Sequence, residues 1–199
     1  IDVLFVLDNS GTMGEEQVNL SANFPLLIDK LQELTDEEGD PLNPNVNIMV
    51  TTTDLGHPQC TPFQPEGYEP AQGAPQDVAC ANRLDDFTGL GSNPPSFPEA
   101  CTSGCPVPVE PSDPFIHFEG ADAGITNIPG NNVKGALSCI GPQGINGCGY
   151  VAPLEAMLQG LNPGAQWNQG DKPFLRDGAI LAVVVITDEA DCSVRPPEG

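Results

Sequence analysis

Ile1-Asp2-Val3-Leu4-Phe5-Val6-Leu7-Asp8-Asn9-Ser10-Gly11-Thr12-Met13 opens the chain, and its reading decides the fold. Apart from Asp2, every residue before Asp8 is large and apolar. A near-continuous apolar run of this length predicts a strand buried on both faces, the habit of parallel sheets in α/β folds. The run stops abruptly at Asp8-Asn9-Ser10-Gly11-Thr12, where small oxygen-bearing side chains replace the hydrophobes. In open parallel sheets, ligands bind beyond the carboxyl ends of the strands. The alternate spacing of Asp8, Ser10 and Thr12 can turn one carboxylate and two hydroxyls towards a common point. Hard oxygen donors of that kind suit Mg²⁺, Ca²⁺ or Mn²⁺.

Two further segments carry the same signature. Val46 to Thr53 is rich in β-branched residues and ends in Asp54, and Ala179 to Ile186 is eight apolar residues in succession, followed by Thr187-Asp188-Glu189. Parallel, adjacent strands would gather Asp8, Asp54 and Asp188 at one sheet edge. Three carboxylates held together repel one another and raise each other's pKa, a cost that a divalent cation removes.

Between these strands the helical periodicity is clear in two places. Leu20, Phe24, Leu27, Ile28, Leu31 and Leu34 form one apolar stripe after Gly14, with Glu15 and Glu16 in the favourable first turn and Pro25 expected to kink or shorten the helix. Pro153 is expected to start a helix whose Leu154, Met157, Leu158 and Leu161 share a face, and Asn131 or Asn132 to cap a short helix reaching Ile140. Leu55 to about Gly130 (residues 55–130) is another regime, dense in Pro, Gly, Ser and Asn, with Phe115-Ile116-His117-Phe118 as its one short strand. A structureless loop of that length is uncommon in a compact domain, so an ordered insertion stapled by disulfides among Cys60, Cys80, Cys101 and Cys105 is expected. Cys139 and Cys148 flank a Gly/Pro-rich loop and are expected to pair across it, leaving Cys192 over.

The chain of 199 residues has material for one domain with a sizeable core, residues 1–199 taken as a whole. Its 28 acidic residues against 6 basic ones give a net charge of -22. Such a surface repels phosphates and anionic membranes, which argues against nucleic acid as a partner. Seven cysteines without zinc-type spacing, and only His57 and His117 as imidazoles, point to disulfides in an oxidising compartment rather than a zinc site. Both histidines read as loop residues without a catalytic role, and Trp167 as a packing anchor. No apolar run reaches spanning length, so no direct membrane insertion is expected. Because Ile1 begins inside a strand, the chain reads as a fragment lacking its true N-terminus.

Asp8-Asn9-Ser10-Gly11-Thr12-Met13, following its buried strand, resembles the metal-ion-dependent adhesion site of von Willebrand factor A-type (VWA) domains, whose first motif is Asp-x-Ser-x-Ser. Thr12 keeps the hydroxyl of the final Ser. Thr187-Asp188-Glu189 is similar to that family's Thr-Asp-Gly, departing at the third position. The resemblance implies an α/β, doubly wound, mainly parallel sheet flanked by helices, with the first strand between the other two. It also implies metal ligation by Asp8, Ser10, Thr12 and Asp188, with Mg²⁺, Ca²⁺ or Mn²⁺ as the ion. The family's mid-domain Thr has no counterpart, since Gly147 to Leu154 contains no Thr or Ser. Water, Asp54 or Glu189 would have to fill that place. The family's last strands and helices, which follow the Asp188 position, are lacking, so the fold is expected to be incomplete at its C-terminal side. Secreted bacterial proteins with an Asp-Asn-Ser-Gly-Ser-Met start look similar.

From this follow three functional expectations. The first is a non-enzymatic, secreted, periplasmic or cell-surface adhesion domain whose cation accepts a carboxylate from a protein partner, with assembly into larger complexes open to it. The second is a structural component of a surface assembly or filament with a vestigial metal site. The third is a phosphatase, because haloacid-dehalogenase-type enzymes also begin with a strand and Asp-x-Asp-Gly-Thr, with Asp188 and Asp191 resembling their acidic pair. Ser10 stands where their general acid would be, and that removes the proton donor for the leaving group.

Overall fold

A computed structural model describes residues 1–120 and 123–193. Its centre is β1 (Asp2–Leu7), whose six residues are all buried. On one side β1 pairs in parallel with β2 (Asn45–Thr52), Leu7 opposite Thr52, and on the other with β5 (Leu181–Ile186), Leu7 opposite Ile186. Beyond β2 the sheet turns antiparallel through β3 (Ile116–Glu119) and β4 (Ile125–Thr126), giving the order β4-β3-β2-β1-β5. The chain is therefore an α/β protein with a five-stranded mixed sheet whose core is parallel.

Alternation along the strands builds two cores. Val3, Phe5 and Leu7 face one side, where they meet Phe24 and Ile28 of α1 (Gly14–Gln32) and Leu137 and Ile140 of α3 (Val133–Ile140). Phe5 and Phe24 pack edge to face with centroids 5.7 Å apart, a favoured aromatic geometry. Leu4 and Val6 face the other side with Met49, Phe115, Phe174 and Ala156 of α4 (Pro153–Gly160). Asn132 caps α3 by accepting from the Gly135 amide at 3.0 Å, and α1 runs through Pro25 as one continuous helix.

Two expectations about buried faces need correction. The four apolar residues of the α4 stripe do not share one environment: Leu154 and Leu158 are exposed, Met157 and Leu161 are partly buried against the core, and Ala156 and Gly160 are buried against the strands. The reason is close approach. A Cβ on Gly160 would stand 3.3 Å from Met49 and 3.4 Å from Leu4, so the helix rests on its smallest residues. Nor is β5 buried on both faces; Leu181 and Val185 are more than a third exposed, because β5 is an edge strand among the described residues.

The N-terminus of α4 has no capping side chain of its own, since Ala152 precedes it. The cap comes from the segment after β5. Asp191 Oδ1 accepts from the Leu154 amide at 3.4 Å and Ser193 Oγ from the Glu155 amide at 2.9 Å. An N-cap oxygen satisfies amides that the first turn leaves unpaired. Ser193→Ala should therefore cost about 1 kcal/mol in urea unfolding; an unchanged midpoint would mean that water serves α4 equally well.

The described part of residues 55–130 carries disulfides, but their pairing differs from the expected one. Cys80 pairs with Cys101, Cys60 with Cys148, and Cys105 with Cys139. The expected Cys139–Cys148 bridge does not form. Cys139 lies on α3 and faces the small core around Phe87 and Ala100, where Cys105 and short α2 (Glu99–Thr102) sit. The 141–148 segment is itself buried and carries Cys148 away to meet Cys60. Two of the three disulfides thus tie the insertion to the body of the domain. Cys192 is a free, exposed cysteine. His117 lies on β3 rather than in a loop, while His57, in a turn, stacks on Tyr150 at 4.3 Å. Trp167 anchors its loop by donating from Nε1 to the Gly160 carbonyl at 2.8 Å.

Candidate metal centre

The turn after β1 is built from its own backbone inward. Asp8 is fully buried, and its Oδ1 accepts from the Ser10 amide at 2.8 Å, closing the turn. Gln17, also buried, donates from Nε2 to the Asp8 carbonyl at 2.9 Å and accepts from the Gln143 amide at 2.9 Å. That brace ties the turn to α1 and to the segment after α3. Gly147 presses on the other side: its amide donates to the Asn9 carbonyl at 2.8 Å, and a Cβ there would stand 2.3 Å from Asn9 Oδ1. Any side chain at 147 would have to displace that of Asn9.

The second half of the centre comes from β5. Thr187 donates from Oγ1 to Asp8 Oδ2 at 2.6 Å, joining the ends of β1 and β5. Thr12 Oγ1 donates to Asp188 Oδ1 at 3.2 Å, and Ser10 Oγ lies 3.4 Å from Thr12 Oγ1. Hydrogen bonds thus link Asp8 through the Ser10 amide, and Ser10 through Thr12 to Asp188, in a turn buried at Asp8 and Ser10 and open to solvent at Thr12 and Asp188. Two carboxylates and two hydroxyls, without sulfur or imidazole, fit a hard divalent cation. Glu189 is exposed at the rim, its amide donating to Thr187 Oγ1 at 3.1 Å.

Among the described residues Asp54 makes no direct hydrogen bond to Asp8, Ser10, Thr12 or Asp188. Its carboxylate is fully buried and accepts from the Gly56 amide at 2.7 Å, Gln64 Nε2 at 3.3 Å, Tyr68 Oη at 2.7 Å and the Cys148 amide at 3.0 Å. Four donors compensate its charge within a brace of its own. The brace still reaches the turn: Asn9 Nδ2 donates to Tyr68 Oη at 3.2 Å. Burial, and next the Asp54 charge, push the Tyr68 phenol well above its ordinary pKa, so it stays a donor. Neither Tyr68 nor Gln17 is singled out by sequence reasoning, because Tyr68 lies in an aperiodic stretch and Gln17 is a polar residue outside the apolar stripe of α1.

Two other features of the molecule lie apart from this turn. The sulfurs of Cys80, Cys101 and Cys105 lie within 4.8 Å of one another and are buried. All three are consumed in disulfides, so the oxidised protein has no thiolate there to bind a metal. A cleft of about 580 Å³, lined by Asn47, His117, Glu119, Lys172 and Arg176 among others, opens at the opposite end of the sheet from Asp8.

Fold and centre together define an α/β domain with a mainly parallel core, three disulfides and an oxygen-lined turn at the carboxyl end of its central strand. No family model, no curated protein and no solved structure matches the chain. The disulfides fit an oxidising, extracellular type of environment. Among the described residues no helix is long and apolar enough to cross a membrane.

Proposed function

We propose that the chain is a non-enzymatic VWA-like binding domain, exported to the periplasm, the cell surface or the medium. In this reading Asp8, Ser10, Thr12 and Asp188 hold Mg²⁺, Ca²⁺ or Mn²⁺, whose open coordination position takes a carboxylate from a protein partner. The observation that carries it is the meeting of two strand ends in one oxygen set, Thr12 with Asp188 at 3.2 Å and Thr187 with Asp8 at 2.6 Å. The strand order, with β1 between β2 and β5, agrees with what the motif implies. A phosphatase reading has less support, because position 10 offers a hydroxyl where a general acid is needed. The vestigial, structural reading draws on one observation of its own, that Asp54 is satisfied by protein donors alone.

A cation that binds only the folded state stabilises it by mass action, by about 1.4 kcal/mol at tenfold excess over Kd. Melting in millimolar Mg²⁺, Mn²⁺ or Ca²⁺ should therefore run roughly 3–5 °C above melting in chelator. Asp8→Ala should abolish the difference, and Asp191→Ala should leave most of it. Melting indifferent to all three ions and to Asp8→Ala would hand the case to the structural reading.

A further inference from the structure

We infer that Thr53 is a further oxygen donor to the cation at Asp8, supplying the neutral ligand that the segment before α4 lacks. The inference rests on the cation reading above and extends it to a residue outside its motif.

Thr53 is fully buried, and its Oγ1 has no hydrogen-bond partner among the described residues. A buried hydroxyl without a partner has lost its water and gained nothing in return, so such groups call for an explanation. The Thr53 backbone is already engaged on both sides. Its amide donates to the Leu7 carbonyl at 3.0 Å, and its carbonyl accepts from the Ala152 amide at 3.0 Å. Only the side chain is unaccounted for.

Its position says what it faces. The β1–β2 register ends at Leu7 opposite Thr52, and the Thr53-to-Leu7 bond carries the ladder one step further. Thr53 therefore stands beside Asp8. Side chains alternate along a strand. Leu4 and Val6 point to the α4 side of the sheet, as does Met49 on β2. Continuing that alternation puts Asp8 and Thr53 on the same side, next to each other at the sheet edge. Ala152, bonded to Thr53, immediately precedes α4, and residues 147–154 hold no Ser or Thr; the Tyr150 hydroxyl there is engaged with Gln59 Oε1. An unpartnered hydroxyl beside a buried carboxylate is thus found where a neutral donor is otherwise wanting. Neutral oxygens alongside carboxylates complete the six or more ligands that hard cations take.

Among the described residues, Asn9 Oδ1 is the other buried side-chain oxygen without a partner. It belongs to the opposite side of the strand and is packed onto the Gly147 backbone, so it does not compete for this role.

The test is Thr53→Val, which keeps shape and strand preference and removes only the hydroxyl. Mn²⁺ binding is measured by calorimetry, and melting is followed in chelator and in Mn²⁺. The expected result has two opposite signs: melting in chelator is unchanged or higher, because an unpaired polar group has gone, while the Mn²⁺ Kd rises roughly tenfold or more. Thr53→Ser should restore the affinity. Unchanged Kd in Thr53→Val, with wild-type binding intact, overturns the role of Thr53 and leaves the cation reading standing. Lower melting of Thr53→Val in chelator means that the hydroxyl serves the fold, and overturns it too. No Mn²⁺ binding by the wild-type protein removes both.

Discussion

Arg176→Met is expected to destabilise the protein by roughly 3–5 kcal/mol, the cost of leaving one member of a buried ion pair alone. Asp2, at the start of β1, is fully buried. Its carboxylate accepts from the Arg176 amide and from Arg176 Nε, each at 2.8 Å, while Arg176 Nη2 lies 2.6 Å from Oδ1. The same guanidinium donates to the Ile1 carbonyl at 2.9 Å and to the Asn45 carbonyl at 3.2 Å, so it fastens the starts of β1 and β2 together. Removing it leaves the Asp2 carboxylate in the interior with one backbone donor. In urea the midpoint should fall sharply, and Asp2→Asn combined with Arg176→Met should recover much of the loss, because the stranded charge is gone. A single-variant loss below about 1 kcal/mol would show that water replaces the guanidinium, contrary to this account.

The Cys60→Ser/Cys148→Ser pair is the second large effect. This bridge spans a sequence separation of 88, against 21 for Cys80–Cys101. In the chain-entropy account, opening the longer loop costs about 4–5 kcal/mol and the shorter about 3 kcal/mol. There is a local component as well. Cys148 donates its amide to Asp54 and the neighbouring Gly147 donates to Asn9, so the bridge holds the wall against which the Asp8 turn is set. Melting of the two serine pairs should differ by several degrees, with Cys60/Cys148 the lower. Equal losses, or a larger loss for Cys80→Ser/Cys101→Ser, would refute the ranking.

The strand and its oxygen-bearing turn can be read from residues 1–13 because burial on both faces leaves no room for polar residues, and the turn interrupts that run at one point. Asp188 can be read because it follows the unbroken apolar run that ends at Ile186, although that strand lies at the sheet edge and is only partly buried. What sequence alone misreads are features decided by distance in space. The leucines of α4 look like a core stripe, yet closeness to Leu4 and Met49 selects Ala156 and Gly160 for that face. Cys139 and Cys148 look paired because they are near in sequence, yet they point into different parts of the molecule. Asp54 ends a strand as Asp8 does, and only Tyr68, Gln64 and the Cys148 amide, 10 to 94 residues away, show that its charge is answered elsewhere. The Asp2–Arg176 pair spans 174 residues and has no local signature at all.

The segment that follows β5 carries two duties within seven residues. Thr187 and Asp188 close the oxygen set at Asp8 and Thr12, and Asp191 and Ser193 finish the first turn of α4. Anything that pins Asp188 in place therefore also limits the fraying of α4, although no atom of that helix belongs to the centre. Amide hydrogens of Leu154 and Glu155 act as remote reporters of the centre, exchanging with solvent more slowly as the strap behind them is held more firmly.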